Sequence, residues 1–177
     1  MSQSVFGAAA AVTMLNRAFN NSSPANAVFN NQVATAGSTA EGQFAFANTF
    51  AASFNTLTDA QLAERVLGNM GVLPNDPLLA AVADYFTATG VASRGTVVLQ
   101  LGQILAGLET ATGEQAIYAP QAAAWNTEVE KSFIYSSNSA NTTAYEGDFA
   151  PTPVDQGQTF TLTKAVDDYS LVNSKAT

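Results

Sequence analysis

Few side chains in this chain could do chemistry, and the two kinds that are missing decide most of the argument. Its 177 residues contain no Cys and no His. Without Cys there is no disulfide, thiolate metal site or thiol nucleophile. Without His, the commonest general base and the Ser–His and Cys–His pairs are gone as well. Carboxylates, Tyr, Lys and Arg remain. Two carboxylates hydrolyse a glycosidic bond when set ~5–9 Å apart in a cleft. Glu128 and Glu130 stand two positions apart, so a helix would turn them to different faces. Glu109 and Glu114 flank a glycine-containing loop, where solvation is the simpler reading. No enzyme is expected, and a small carbohydrate-active enzyme is kept only as the last alternative.

Binding offers more than catalysis does. Glu146, Asp148 and Asp155 fall in one stretch rich in hydroxyl and carbonyl oxygens, and Asp167-Asp168 follows it. Calcium takes six to eight such oxygens, usually at fixed loop offsets ending in a bidentate Glu. No such offsets occur, so calcium is a cofactor the sequence leaves room for and does not require. For polysaccharide, the useful groups are exposed aromatic rings. Tyr118, Trp125, Tyr135 and Tyr145 are the candidates, although aromatic side chains on a helix usually face the core.

The elements that would position these groups are helical. Thr58-Asp59-Ala60-Gln61 is a capping box, with Leu57 and Leu62 at the two staple positions. Gly71 closes that helix, Asp76-Pro77 opens the next and Gly90 closes it, and Ser93 opens a third that runs to about Leu108. Their apolar stripes are Leu62, Val66 and Leu67, then Leu78, Leu79, Val82, Tyr85 and Phe86, then Val97, Val98, Leu101, Ile104, Leu105 and Leu108. This trio, 57–109, reads as an antiparallel bundle. Before it, 5–19 has apolar residues at amphipathic spacing, Ser23-Pro24 is a cap-and-N1 pair for a second helix, and Thr39 caps a third. Phe46, Phe50 and Phe54 recur every four residues on that third helix and read as its core face. Pro120 starts a last helix, with Ala123, Trp125, Val129, Phe133 and Ile134 inward and Trp125 equally able to sit at the rim. Beyond it the chain turns to Ser, Asn and Thr, and Thr159–Thr163 alternates with the period of a strand.

The fold class expected is therefore mainly α: a compact bundle of five to seven helices with a C-terminal extended segment carrying at least one strand. The division is a helical domain over 1–136, a linker over 137–158 and a strand segment over 159–177 that could open a β-repeat region.

Composition bounds the setting. Charged residues are 11% of the chain, against about 25% in ordinary domains. Asn, Ser, Thr and Gln must keep the surface wet, a habit of extracellular structural proteins. The net charge of -8 supplies no basic patch for phosphates, so neither nucleic acid nor an anionic membrane is an expected partner. The apolar run 5–15 is too short to span a bilayer and lacks the positive residues that precede a signal's apolar core. Export, if it occurs, would need an address elsewhere in the chain, as in routes read from a C-terminus.

The stretch Leu62-Ala63-Glu64-Arg65-Val66-Leu67-Gly68-Asn69-Met70-Gly71-Val72-Leu73-Pro74-Asn75, continued by Asp84-Tyr85-Phe86 and Ser93-Arg94-Gly95, resembles the N-terminal helical modules of proteobacterial surface proteins. These are S-layer proteins and large RTX-type proteins exported by type I secretion. In that family Gly157-Gln158-Thr159-Phe160-Thr161-Leu162-Thr163 would be the opening strand of a calcium-binding β-repeat region. The resemblance spans roughly residues 39–163, and it implies secretion to the bacterial cell surface and attachment of a lattice to surface polysaccharide. No Gly-Gly-x-Gly-x-Asp repeat occurs here, so the family's calcium array does not carry over. The expected function is a structural module that assembles into, or anchors, an extracellular S-layer-like lattice. Its partners are copies of itself and a surface polysaccharide, and it does not insert into a membrane. The alternative is a self-assembling filament or adhesin subunit that binds no sugar.

Overall fold

Nine consecutive residues of the first helix, Ala11 through Phe19, are buried, which a helix with one apolar stripe could not achieve. In the computed structural model, which describes residues 7–149, this helix (α1, Gly7–Asn20) is surrounded by others. It touches α2 (Asn26–Ala36), α3 (Ala40–Ala51), α4 (Asp59–Asn69), α6 (Arg94–Ala106) and α7 (Ala119–Ser137). The fifth helix, α5 (Asp76–Thr89), packs on α4 from outside. Among the described residues are seven α-helices, three short 3-10 helices and a two-stranded antiparallel ribbon, β1 (Ser22–Ser23) with β2 (Tyr145–Glu146). The chain divides into two contact units, 1–147 and 148–177, and the helices all belong to the first. The strand expected at Thr159–Thr163 lies outside the described residues.

The trio 57–109 forms with its expected caps but is not the centre. The capping box at Thr58 and Gln61 has both of its hydrogen bonds, at 3.1 and 2.9 Å. The Asn75 side chain caps α5 by accepting from Leu78 N, and Gly71 and Gly90 take the positive φ that ends a helix. Ser93, however, makes no capping bond. The start of α6 is capped from another helix: Asn48 Oδ1 of α3 accepts from Thr96 N at 2.8 Å. The reason is proximity. Gly95 lies directly against the Ala47–Asn48 backbone, with no room for a Cβ. On α3 the fully buried residues are accordingly Ala47 and Ala51, while the phenylalanine stripe packs half-buried around them. Phe50 and Phe54 meet the ring of Phe19 on α1, at centroid distances of 5.5 and 4.8 Å.

A helix buried at its C-terminus leaves carbonyls that need partners. Two residues one turn apart on α4 supply them for α1: Asn69 donates to Ala18 O at 2.8 Å, and Arg65 donates to Phe19 O. Two polar side chains inside α1 are satisfied as well. Thr13 bonds back to Ala9 O, and Asn16 reaches Val12 O and Gln32.

Ser23-Pro24 does not open α2, whose first residue is Asn26 and whose N-cap, Ala25, makes no side-chain bond. These residues serve as a clasp instead. Ser23 Oγ meets Ser132 Oγ at 2.7 Å, Ser136 donates to Pro24 O, and Asn26 N donates to Asn141 O. Backbone pairing of β1 with β2 extends the clasp, so the polar stretch expected as linker is tied to the helices as far as Gly147. Other expectations are corrected by position on a helix. Tyr85, Ile104 and Ile134, read as inward, are more than half exposed. Leu99, Gly102, Ala122 and Ser132 take buried places instead, because α6 and α7 are covered on the sides that face α1 and each other.

One ion pair braces the trio. Arg94, 3% exposed, donates to Asp59 Oδ1 at 2.7 Å and to the carbonyl of Leu57 at 3.0 Å. Asp59, 27% exposed, is thus tied to a buried cation. The Arg94 hydrogen bonds, and then one from Thr87, hold its carboxyl below the ordinary aspartate range. A group whose folded value is lowered stabilises fully above its unfolded value, and that stabilisation is lost as pH falls through the folded one. Urea midpoints of the native protein and Asp59→Asn should therefore differ at pH 6 and converge as pH drops below about 4. A gap that stays constant down to pH 2.5 would mean the carboxylate charge contributes nothing.

Candidate functional site

The four aromatic candidates do not assemble into one site. Trp125 belongs to the core: it is 2% exposed, and its indole N–H donates to Gly102 O at 3.0 Å. It therefore offers no face to a sugar. The missing side chain at Gly102 makes the space, since a Cβ there would sit 3.3 Å from the Trp125 ring. Tyr118 ends a 3-10 turn, Gly113–Tyr118, just before α7, whereas Tyr135 lies near the far end of that helix. At 1.5 Å per residue, the 17 positions between them span roughly 25 Å.

Tyr135 and Tyr145 do come together. Their rings lie 5.5 Å apart, tilted by 59°, and both are partly exposed. The Tyr135 hydroxyl donates to Thr143 O at 2.9 Å, and the Asn141 side chain donates to Tyr135 O at 2.8 Å. Tyr145 is held through β2, where it pairs with Ser23. The ribbon and the end of α7 thus fix two rings at a corner edged by exposed Asn138, Thr142 and Thr143. Nothing in the sequence announces this pairing, because it depends on a two-residue ribbon between positions more than a hundred apart.

The proposed calcium ligands fare differently. Glu146 is exposed at the ribbon, and Asp148, in the second contact unit, is exposed too. Asp155 lies outside the described residues, as do Asp167 and Asp168. Among the described residues no group of three or more Asp or Glu side chains is placed to hold a metal ion. Glu128, weighed above as half of a dyad, instead faces buried Arg17 at 3.1 Å. Glu109 accepts from Asn126 at 2.7 Å.

Tyr118 occupies a different setting, which sequence reasoning did not foresee. It borders a cavity of about 200 Å³ where the end of α4, the start of α5, α6 and the 3-10 turn meet. Leu67 and Met70 supply one wall, and Leu101, Ile104 and Leu105 of α6 another. Gln115 and Tyr118 bring the polar atoms, and no charged side chain lines the space. The Tyr118 hydroxyl oxygen accepts from Asn75 Nδ2 at 3.1 Å, and the same Asn75 caps α5 with its Oδ1. One amide therefore fixes both the helix start and the tyrosine. The signal was present only in part, since Asn75 was visible next to a helix start and its bond across 43 residues was not.

No protein-family model, curated protein or solved structure matches this chain. Among the described residues no helix is long and apolar enough to cross a membrane.

Proposed function

We propose that this chain is a non-catalytic module of a bacterial cell surface that attaches a larger assembly to surface polysaccharide, with the Tyr135–Tyr145 corner as its contact surface. The observation that carries the reading is the pair of rings 5.5 Å apart, both partly exposed and held by the end of α7 and by the ribbon. Sugar rings present C–H faces that lie against aromatic rings, while their hydroxyls seek amide and hydroxyl partners such as those of Asn138, Thr142 and Thr143. A corner already fixed by the fold loses little side-chain freedom on binding. The chain's charge of -8 would repel an anionic polymer, which favours a neutral glycan. Low charge content and the resemblance of residues 62–75 to surface-protein modules supply the cellular setting. A lattice or filament of like subunits is the form such an attachment would serve, with calcium an optional addition.

The test is titration of the full chain with purified neutral surface polysaccharide, followed by calorimetry. Tyr135→Ala and Tyr145→Ala should each weaken binding about tenfold, at roughly 1–1.5 kcal/mol for one aromatic contact. Both should leave the far-ultraviolet circular dichroism unchanged, because neither ring is in the core. Light scattering of the same samples reads self-association separately. Assembly that proceeds without glycan affinity would transfer the role to a self-assembling filament or adhesin subunit.

A further inference from the structure

We propose that the cavity bordered by Tyr118 is a second binding site, for a small neutral apolar molecule that carries one hydrogen-bond-accepting oxygen. Five properties of the site select that class. Its volume, about 200 Å³, is somewhat above the roughly 150 Å³ at which an apolar cavity stays dry and admits a benzene ring. The space therefore suits one aromatic ring or a chain of about six to eight carbons. Its walls are Leu, Ile, Val and Met side chains, which give water few partners and a hydrocarbon many. Met70 and Ile104 lend it adaptable, partly open edges, since Met70 is unbranched and Ile104 is 61% exposed.

The fourth property is the hydroxyl. Tyr118 Oη accepts from Asn75, and among the described residues no acceptor takes its own proton. That O–H is therefore available to donate to a carbonyl, ether or hydroxyl oxygen at the edge of an apolar space. Asn75 cannot swing away without giving up the cap of α5, so the donor is held in place before any ligand arrives. No Lys, Arg, Asp or Glu lines the cavity. An ionised ligand would lose its hydration without gaining a counter-charge, which selects neutral molecules over carboxylates or amines. About 25 Å of α7 separates Tyr118 from Tyr135, so this site and the tyrosine corner stand or fall independently.

The experiment uses the full chain, labelled at methionine and leucine methyl groups, titrated in turn with toluene, benzyl alcohol and benzoate. Toluene and benzyl alcohol should shift the methyl resonances of Met70 and Leu105, with benzyl alcohol saturating at roughly millimolar concentration. Benzoate should not shift them. Tyr118→Phe, which keeps the ring and removes the proton, should weaken benzyl alcohol about fivefold and leave toluene within a factor of two. Unmoved methyl resonances at 10 mM of either neutral probe, or benzoate binding as well as benzyl alcohol, would overturn the proposal. An equal loss of both neutral probes in Tyr118→Phe would do the same. So would shifts at these methyl groups that depend on protein concentration alone, because they would identify a second copy of the chain as the occupant.

Discussion

Replacing Arg17 by Met should cost the protein about 3 kcal/mol of stability, a large share of the roughly 5–15 kcal/mol a domain of this kind possesses. Arg17 is 1% exposed in the last turn of α1, where the helix dipole favours a cation. Its guanidinium donates to Gly147 O at 3.1 Å, Asn21 Oδ1 at 2.8 Å and Glu128 Oε1 at 3.1 Å. One side chain thereby ties the central helix to α7 and to the turn after β2. Methionine matches much of the volume but strands two buried-side acceptors, each worth about 1–3 kcal/mol when left unpaired. Glu128 recovers part of the loss, because it is 24% exposed and can turn to water. Arg17→Lys should cost nearly as much as Met, since an ammonium has no fork to reach three separated acceptors. Chemical denaturation reads both. In the Arg17→Met background, Glu128→Gln should be almost silent, whereas alone it should destabilise by more than 1 kcal/mol. If Arg17→Met falls within 1 kcal/mol of the native protein, the cluster is incidental to stability.

Arg17 also illustrates what the sequence made legible. In the sequence Arg17 simply follows the apolar run 5–15. Two of its three acceptors come from 111 and 130 positions away, and no local pattern encodes them. Signals written within four residues of one another were readable: the Thr58–Gln61 box, the Thr39 cap, the glycines at 71 and 90, and Pro120 at the start of α7. Such features depend on local hydrogen bonds and on φ alone. Their sum gave the right class of fold, because capped amphipathic segments joined by short loops leave little besides a helical bundle.

Centrality, by contrast, was hidden. The best-signalled helices, α4 and α5, lie at one side, and the least remarkable alanine-rich segment is the hub. Alanine gives a weak stripe in any pattern of apolar residues, yet it lets neighbouring helices approach from several directions at once. The same feature hid which residues of α3 lie deepest: Ala47 and Ala51 are fully buried, while Phe46 and Phe50 pack half-buried against the core. Of the candidate site, only the residue types could be read from the sequence. Which two would meet was decided by a ribbon between Ser22–Ser23 and Tyr145–Glu146 that neither strand announces. The Asn75–Tyr118 bond was equally invisible, and with it the cavity.

The close approach of α3 and α6 leads to the other large effect. Gly95→Ala should destabilise by about 3 kcal/mol or more, or prevent folding at 37 °C, although alanine is the better helix former by about 1 kcal/mol. A Cβ at Gly95 would fall inside the carbonyl of Ala47 and against Asn48 N, both backbone atoms that cannot rotate away. Relief requires the two helices to separate. Separation in turn pulls Thr96 N from Asn48 Oδ1, now 2.8 Å away, and uncaps α6. Gly102→Ala provides the control on the same helix. There a Cβ would meet the Trp125 ring at 3.3 Å and Met14 Sδ at 3.4 Å, side-chain atoms that can yield by a few tenths of an ångström. Its cost should stay near or below 1 kcal/mol, because the gain in helix propensity offsets part of the crowding. Urea unfolding followed by circular dichroism distinguishes the two. Equal effects at 95 and 102 would mean that the α3–α6 spacing can relax, and that the glycine is no requirement for it. A large effect at 95 alone, relieved in part by Ala47→Gly through a more yielding backbone, would locate the tightest constraint of the fold between these two helices.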